Sequence, residues 1–170
     1  MKKYLLILFF ANVLFLQACG YELAIKKRIL SSNINKICVQ LFSNNTNLSG
    51  FEVILTNDLI NELLKRGINC LNNCDNADAA IFGKILSSQI NAVSKTSLGQ
   101  SLEKQILINV DLNVKDKNDN ILLNNAFIQD SESFQTSDDF EISEQNKDNA
   151  VNKLSQKLAE KIFSQLVQPF

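Results

Sequence analysis

Ile106-Leu107-Ile108-Asn109-Val110-Asp111-Leu112-Asn113-Val114-Lys115 is the stretch that decides how this chain folds. Ile106, Ile108, Val110, Leu112 and Val114 alternate with Leu107, Asn109, Asp111, Asn113 and Lys115. A period of two puts the first set on one face of a strand and the second on the other. One face is then buried and the other wet, as in an antiparallel sheet covered on a single side.

Working outward, Lys117-Asn118-Asp119-Asn120 carries hairpin residues, and the chain returns as a longer, more polar strand over Ile121 to Gln135. Upstream, Ser97-Leu98-Gly99-Gln100 reads as a turn. Before it, Ala77 to Val93 forms a strand with the apolar segment Ala79 to Leu86, in which Gly83 marks a bulge or a close approach. Lys36 to Phe42 reads as the first strand, with Ile37, Val39 and Leu41 on one face, and Ser43 to Asn47 breaks it with turn-forming residues.

Between these strands Phe51, Leu55, Leu59 and Leu63 recur every four residues, with Ile60 and Leu64 widening the stripe. This is an amphipathic helix, opened by a Ser49/Glu52 capping box and closed at Lys65-Arg66-Gly67, where glycine can take the left-handed cap. Val151, Leu154, Leu158, Ile162 and Leu166 mark a second helix, supported by Ala150, Ala159 and Phe163 and ended by Pro169. The order β-α-β-β-β-α predicts an α+β two-layer sandwich over residues 36–170, with two amphipathic helices packed on one face of a four-stranded sheet.

The N-terminus carries an address. Lys2 and Lys3 precede a nearly unbroken apolar run, Tyr4 to Leu16, too short to span a bilayer as a helix. Leu16-Gln17-Ala18-Cys19 then resembles the bacterial lipobox, which implies cleavage between Ala18 and Cys19 and acylation of the Cys19 thiol and amine. Residues 1–18 would be a lipoprotein signal peptide and 19–35 a lipidated lead. Gly20 after the cysteine points to the outer membrane, with the chain on the periplasmic side. An ordinary secretory signal or an uncleaved anchor is the alternative.

Composition narrows the function classes. Loss of Lys2 and Lys3 with the signal takes the formal net charge from −1 to −3, so there is no basic footprint for nucleic acid. The sequence has no histidine, which excludes Ser-His-Asp and Cys-His catalysis and histidine-ligated zinc. Asp138-Asp139-x-Glu141 is acidic but sits just before a helix, where the dipole favours acids, so no enzyme activity and no cofactor is expected. In an oxidising periplasm a Cys70–Cys74 disulfide across Leu71-Asn72-Asn73 is plausible, and Cys38 reads as a small buried hydrophobe. No metal site is expected.

Taken in order, several short motifs resemble one family. They are Cys19-Gly20-Tyr21, Phe42-Ser43-Asn44-Asn45-Thr46, Leu55-Thr56-Asn57-Asp58-Leu59, Ala77-Asp78-Ala79 with Phe82-Gly83-Lys84-Ile85, and Ala150 with the Leu154-x-x-x-Leu158 spacing. The chain resembles the LptE family, the lipopolysaccharide-assembly lipoproteins of the outer membrane. That resemblance implies two helices on a four-stranded sheet and a role as plug and assembly partner of the LptD barrel. Barrel lumens are polar, and the wet residues Asn109, Asp111, Asn113 and Asn124, with Asn91 nearby, would suit one. It also implies basic contacts to lipid A phosphates, for which Lys84, Lys95, Lys104, Lys115 and Lys117 are candidates as cations. An auxiliary lipoprotein of a phospholipid or ABC-type transport system is the alternative role.

Overall fold

A computed structural model describes residues 34–95 and 101–167. The signal peptide, the Ala18/Cys19 cleavage and lipidation site, the lead up to Asn33, the expected turn at Ser97 to Gln100 and the helix stop at Pro169 lie outside the described residues. Among the described residues, no helix is long and apolar enough to cross a membrane.

The elements run β1 (Lys36–Val39), β2 (Ser43–Asn44), α1 (Phe51–Lys65), β3 (Asn69–Leu71), a 3-10 turn (Cys74–Asn76), β4 (Ala79–Lys95), β5 (Ser101–Asp116), β6 (Ile121–Gln135) and α2 (Phe140–Val167). The α+β expectation holds, but the sheet is mixed and has six strands, not four. Its order is β3-β1-β4-β5-β6, with β2 also pairing β4. β1 runs parallel to both β3 and β4, β2 is parallel to β4, and β4-β5-β6 is an antiparallel meander.

Two local events account for the extra strands. The first predicted strand ends early, at Val39, and Ser43–Asn44 of the predicted break form β2; between them Leu41 turns outward at 63% exposure and Phe42 is buried. The Phe42 amide donates to Thr56 Oγ1 of α1 (3.1 Å), and the chain resumes as β2 beside Lys84 and Ile85. The other addition, β3, is three residues long, too short to show periodicity.

The alternation in β5 is realised: Ile106, Ile108, Val110, Leu112 and Val114 are all buried. Across the register their neighbours Ile81, Ile85 and Ile128 are buried as well. These residues form one core with the Phe51-Leu55-Leu59-Leu63 stripe of α1 and the Leu154-Leu158-Ile162-Leu166 stripe of α2. Gly83 lies within this face because Phe42 occupies the place of its side chain: a Cβ there would meet the Phe42 ring at 2.3 Å.

The helix ends partly follow expectation. Gly67, at φ 80°, closes α1 through Ile68 N–H to Leu63 O and Gly67 N–H to Leu64 O, both 3.0 Å, a Schellman closure. The capping box does not form. Gly50 at φ 86° is the N-cap, and Glu52 instead accepts from Asn44 Nδ2 at 2.7 Å. Asn44 therefore holds its carboxyl below the ordinary glutamate range. At α2 the Asp139 carboxylate accepts the amides of Glu141 (2.9 Å) and Ile142 (3.4 Å), a capping role for the acidic cluster.

The cysteines pair differently from the sequence expectation. Cys38 is bonded to Cys74, with Cα atoms 5.1 Å apart, and Cys70 is free. The sheet is the reason. Ile37 stands in register with Cys70 and Cys38 with Leu71, so Cys70 shares the helix-facing side with Ile37 while Cys38 points to the other. The Cys70 thiol donates toward Ile60 O of α1 (3.9 Å), and the 3-10 turn brings Cys74 round to the opposite face. A Cys70–Cys74 bond would have to cross the strand. Cys38, 2% exposed, is buried as expected, but as half of a disulfide.

Candidate functional site

With both helices on one side of the sheet, the other face of β4, β5 and β6 is open among the described residues. Asn109, Asp111 and Asn113 line its middle strand, and Asn91 lies on the same face opposite Gln105. Their neighbours are Phe82 and Ser87 on β4 and Phe127 and Gln129 on β6. The period-two pattern that buries one face requires this other one.

The amides of this face are organised. Asn109 Nδ2 donates to Ser87 Oγ (2.8 Å), and Asn113 Nδ2 reaches Asp111 Oδ2 at 3.3 Å. Asn113 Oδ1 accepts the Asn125 amide (2.9 Å) at a bulge where two residues of β6 oppose one of β5, with Asn125 at φ 50°. Asn124 belongs to that bulge, opposite Asn113, and is exposed there. Asn109 Oδ1 is buried without a hydrogen-bond partner, at the centre of the face. A buried acceptor left open is a place where an approaching donor is favoured. Phe127, 62% exposed, adds an aromatic edge.

The five lysine candidates do not converge. Lys84 and Lys115 share the open face, but Lys84 pairs with Asp111 and Lys115 with Ala80, about 13 Å apart along the strands. Lys115 lies 5.9 Å from the Phe82 ring centroid and 3.6 Å from Asp119. Lys117 sits in the β5–β6 turn, its amide donating to Asp78 O (3.1 Å). The Lys95 side chain lies outside the described residues. Lys104 is on the helix-facing side, at the far end of the sheet.

There Lys104 lines a cavity of about 540 Å³ together with Ile90, Phe134, Phe140, Ser143 and Lys147. Lys147 was not a sequence candidate, since it lies on α2 and only the packing of that helix brings it beside β5. Its ammonium bonds Glu144 Oε2 at 2.7 Å. Phe134 is buried, while Ile90 and Phe140 are exposed at the rim. Asp138 and Glu144 line the cavity too, so its charge is mixed, and with Lys147 paired to Glu144 the cation left without an acidic partner at that wall, among the described residues, is Lys104.

The inner side of β6 shows why the rest of that strand looked polar. Asp130 and Glu132 face the helix layer and pair with Lys161 (2.9 Å) and Lys157 of α2. The carboxylate of Glu132 raises the Lys157 pKa above its ordinary value.

Comparison with known proteins follows the same architecture. The family described as LptE, lipopolysaccharide-assembly, matches residues 34–166. Among solved structures, the chain is similar to rare lipoprotein B from Shewanella oneidensis (TM-score 0.57, 11% identity, covering 78% of this chain and 93% of that one). It is similar also to lipoprotein B from Nitrosomonas europaea (0.55, 13% identity, 79% and 83%). The minor lipoprotein of Acinetobacter baumannii scores 0.54 at 14% identity, covering 78% and 90%. At these identities the likeness is one of fold. No curated protein matches the sequence.

Proposed function

The chain belongs to the LptE family of lipopolysaccharide-assembly proteins, and from that premise we propose that it is a non-enzymatic outer-membrane lipoprotein. Tethered through Cys19, it acts as plug and assembly partner of an LptD-type β-barrel that carries lipopolysaccharide to the cell surface. The observation that carries the proposal is the family match, which spans every element of the fold from β1 to α2. The open face supports it: the row Asn109, Asp111 and Asn113, with Lys84 standing opposite Asp111, offers hydrogen bonds and mixed charge to a polar lumen wall.

Capture of a tagged full-length protein from outer-membrane extracts tests the reading. Mass spectrometry should find Cys19 acylated and a large β-barrel in the eluate, and depletion should leave that barrel misassembled. Normal barrel assembly without the protein would overturn the proposal, and capture of a permease with its substrate-binding proteins would replace it with the transport-system role.

For lipopolysaccharide contact the cavity at the far end of the sheet is the stronger of the two lysine regions, because there Lys104 and Lys147 line one cavity with Phe134 and Phe140, although Asp138 and Glu144 line it as well. Reversing both charges (Lys104→Glu with Lys147→Glu) should weaken binding of purified lipopolysaccharide at least tenfold and leave barrel capture intact. Unchanged binding would remove this cavity from the account.

A further inference from the structure

Three cysteines lie at the β3 border of the sheet: Cys38 on β1, Cys70 on β3 and Cys74 in the 3-10 turn that follows. Cys38 and Cys74 are joined, and Cys70 is free one register step away on the neighbouring strand. We propose that the three form an internal thiol–disulfide relay, in which Cys70 displaces Cys74 from Cys38 and leaves Cys74 as a thiol in the 3-10 turn. This activity stands apart from any barrel partnership.

The present register keeps Cys70 away from the bond. Its side chain lies on the helix-facing side, packed against the core, while the disulfide lies on the opposite face. The strand that carries it is short and paired on one side only, however: β3 is three residues long, is bonded to β1 alone and forms one border of the sheet. A one-residue slip of a strand flips every side chain to the other face. Such a slip of β3 replaces the Cys38–Leu71 register with Cys38–Cys70 and puts both sulfurs on the disulfide side.

The step balances without an outside oxidant. The Cys70 thiol loses its proton, and the thiolate attacks Cys38 Sγ. A Cys38–Cys70 bond forms, the Cys38–Cys74 bond breaks, and Cys74 leaves as a thiolate that takes up a proton. In the unslipped register burial pushes the Cys70 thiol up, which disfavours its thiolate there. The turn that would then carry the thiol is set among exposed residues, Asn73, Asp75 and Asn76. Opposing the slip, Ile68 and Cys70 must leave the partly buried places they hold against the core.

The test is time-resolved alkylation of the oxidised, full-length protein without reductant, followed by tandem mass spectrometry of non-reduced peptides. The relay gives a growing population with Cys74 alkylated and Cys38 bonded to Cys70. In Cys70→Ser, checked for folding by circular dichroism, Cys74 labelling should be lost. Cys74→Ser should oxidise to a Cys38–Cys70 disulfide. Labelling confined to Cys70, Cys74 labelling that persists in Cys70→Ser, or two unpaired thiols in oxidised Cys74→Ser would each overturn the relay.

Discussion

Phe42 and Gly83 act as one unit. The ring lies where a side chain at 83 would stand, and its amide is fixed to Thr56 of α1, so it has little room to retreat. Gly83→Ala should therefore destabilise the protein by about 1–3 kcal/mol, the range for overpacking a filled core. Urea midpoints check this. In a Phe42→Ala background the same substitution should cost far less, and an equal cost in both backgrounds would contradict the pairing. The sequence showed that Gly83 was special, since glycine interrupts an apolar strand. It could not show what filled the space, because Phe42 lies beyond the early end of β1, which only the α1 contact explains. The cysteines were harder to read. The Cys38–Cys74 bond depends on which face each strand residue takes, and β3 leaves no periodic trace.

Among the elements, the ends of β1 and of the β5–β6 hairpin are held by carboxylates. Asp78 Oδ2 accepts the amides of Asn35 and Lys36, each at 2.9 Å. Asp116 accepts the side chain of Asn120 and the amides of Asn118 and Asn120. The amide donors from Asn35 and Lys36 pull the Asp78 carboxyl below its ordinary pKa of 3.8, and Asn120 does the same for Asp116. A folded pKa below the unfolded one gives stability that is present above 3.8 and lost as pH falls through the folded value. The melting temperature should thus drop more steeply below that point in the native protein than in Asp78→Asn with Asp116→Asn. Parallel acid profiles would contradict this. Helices and long strands were legible because each repeats its pattern several times. The wet, longer β6 was legible in extent but not in detail, since Asp130 and Glu132 look like solvent-facing acids until α2 supplies Lys161 and Lys157.

At the scale of the molecule, the disulfide closes the β1 edge onto the turn after β3, across a sequence separation of 36. A loop of that length corresponds to about 3–4 kcal/mol in the chain-entropy picture. Reduction should lower the urea midpoint accordingly, and an unchanged midpoint would show that the edge is held without it. The alternation in β5 was enough to place one buried and one open face, and the family likeness rests on the same order of elements. The distribution of cations was not legible, because Lys104 and Lys147 come to line one cavity only once α2 packs over the sheet. The central claim is that the open face meets a barrel. Photo-crosslinking from positions 109 and 113 of the full-length protein in its native outer membrane tests it most directly. The expected result is an adduct with a large β-barrel from both positions and none from position 153, on the exposed side of α2. Adducts absent from the sheet positions, or formed from position 153 alone, would contradict the account.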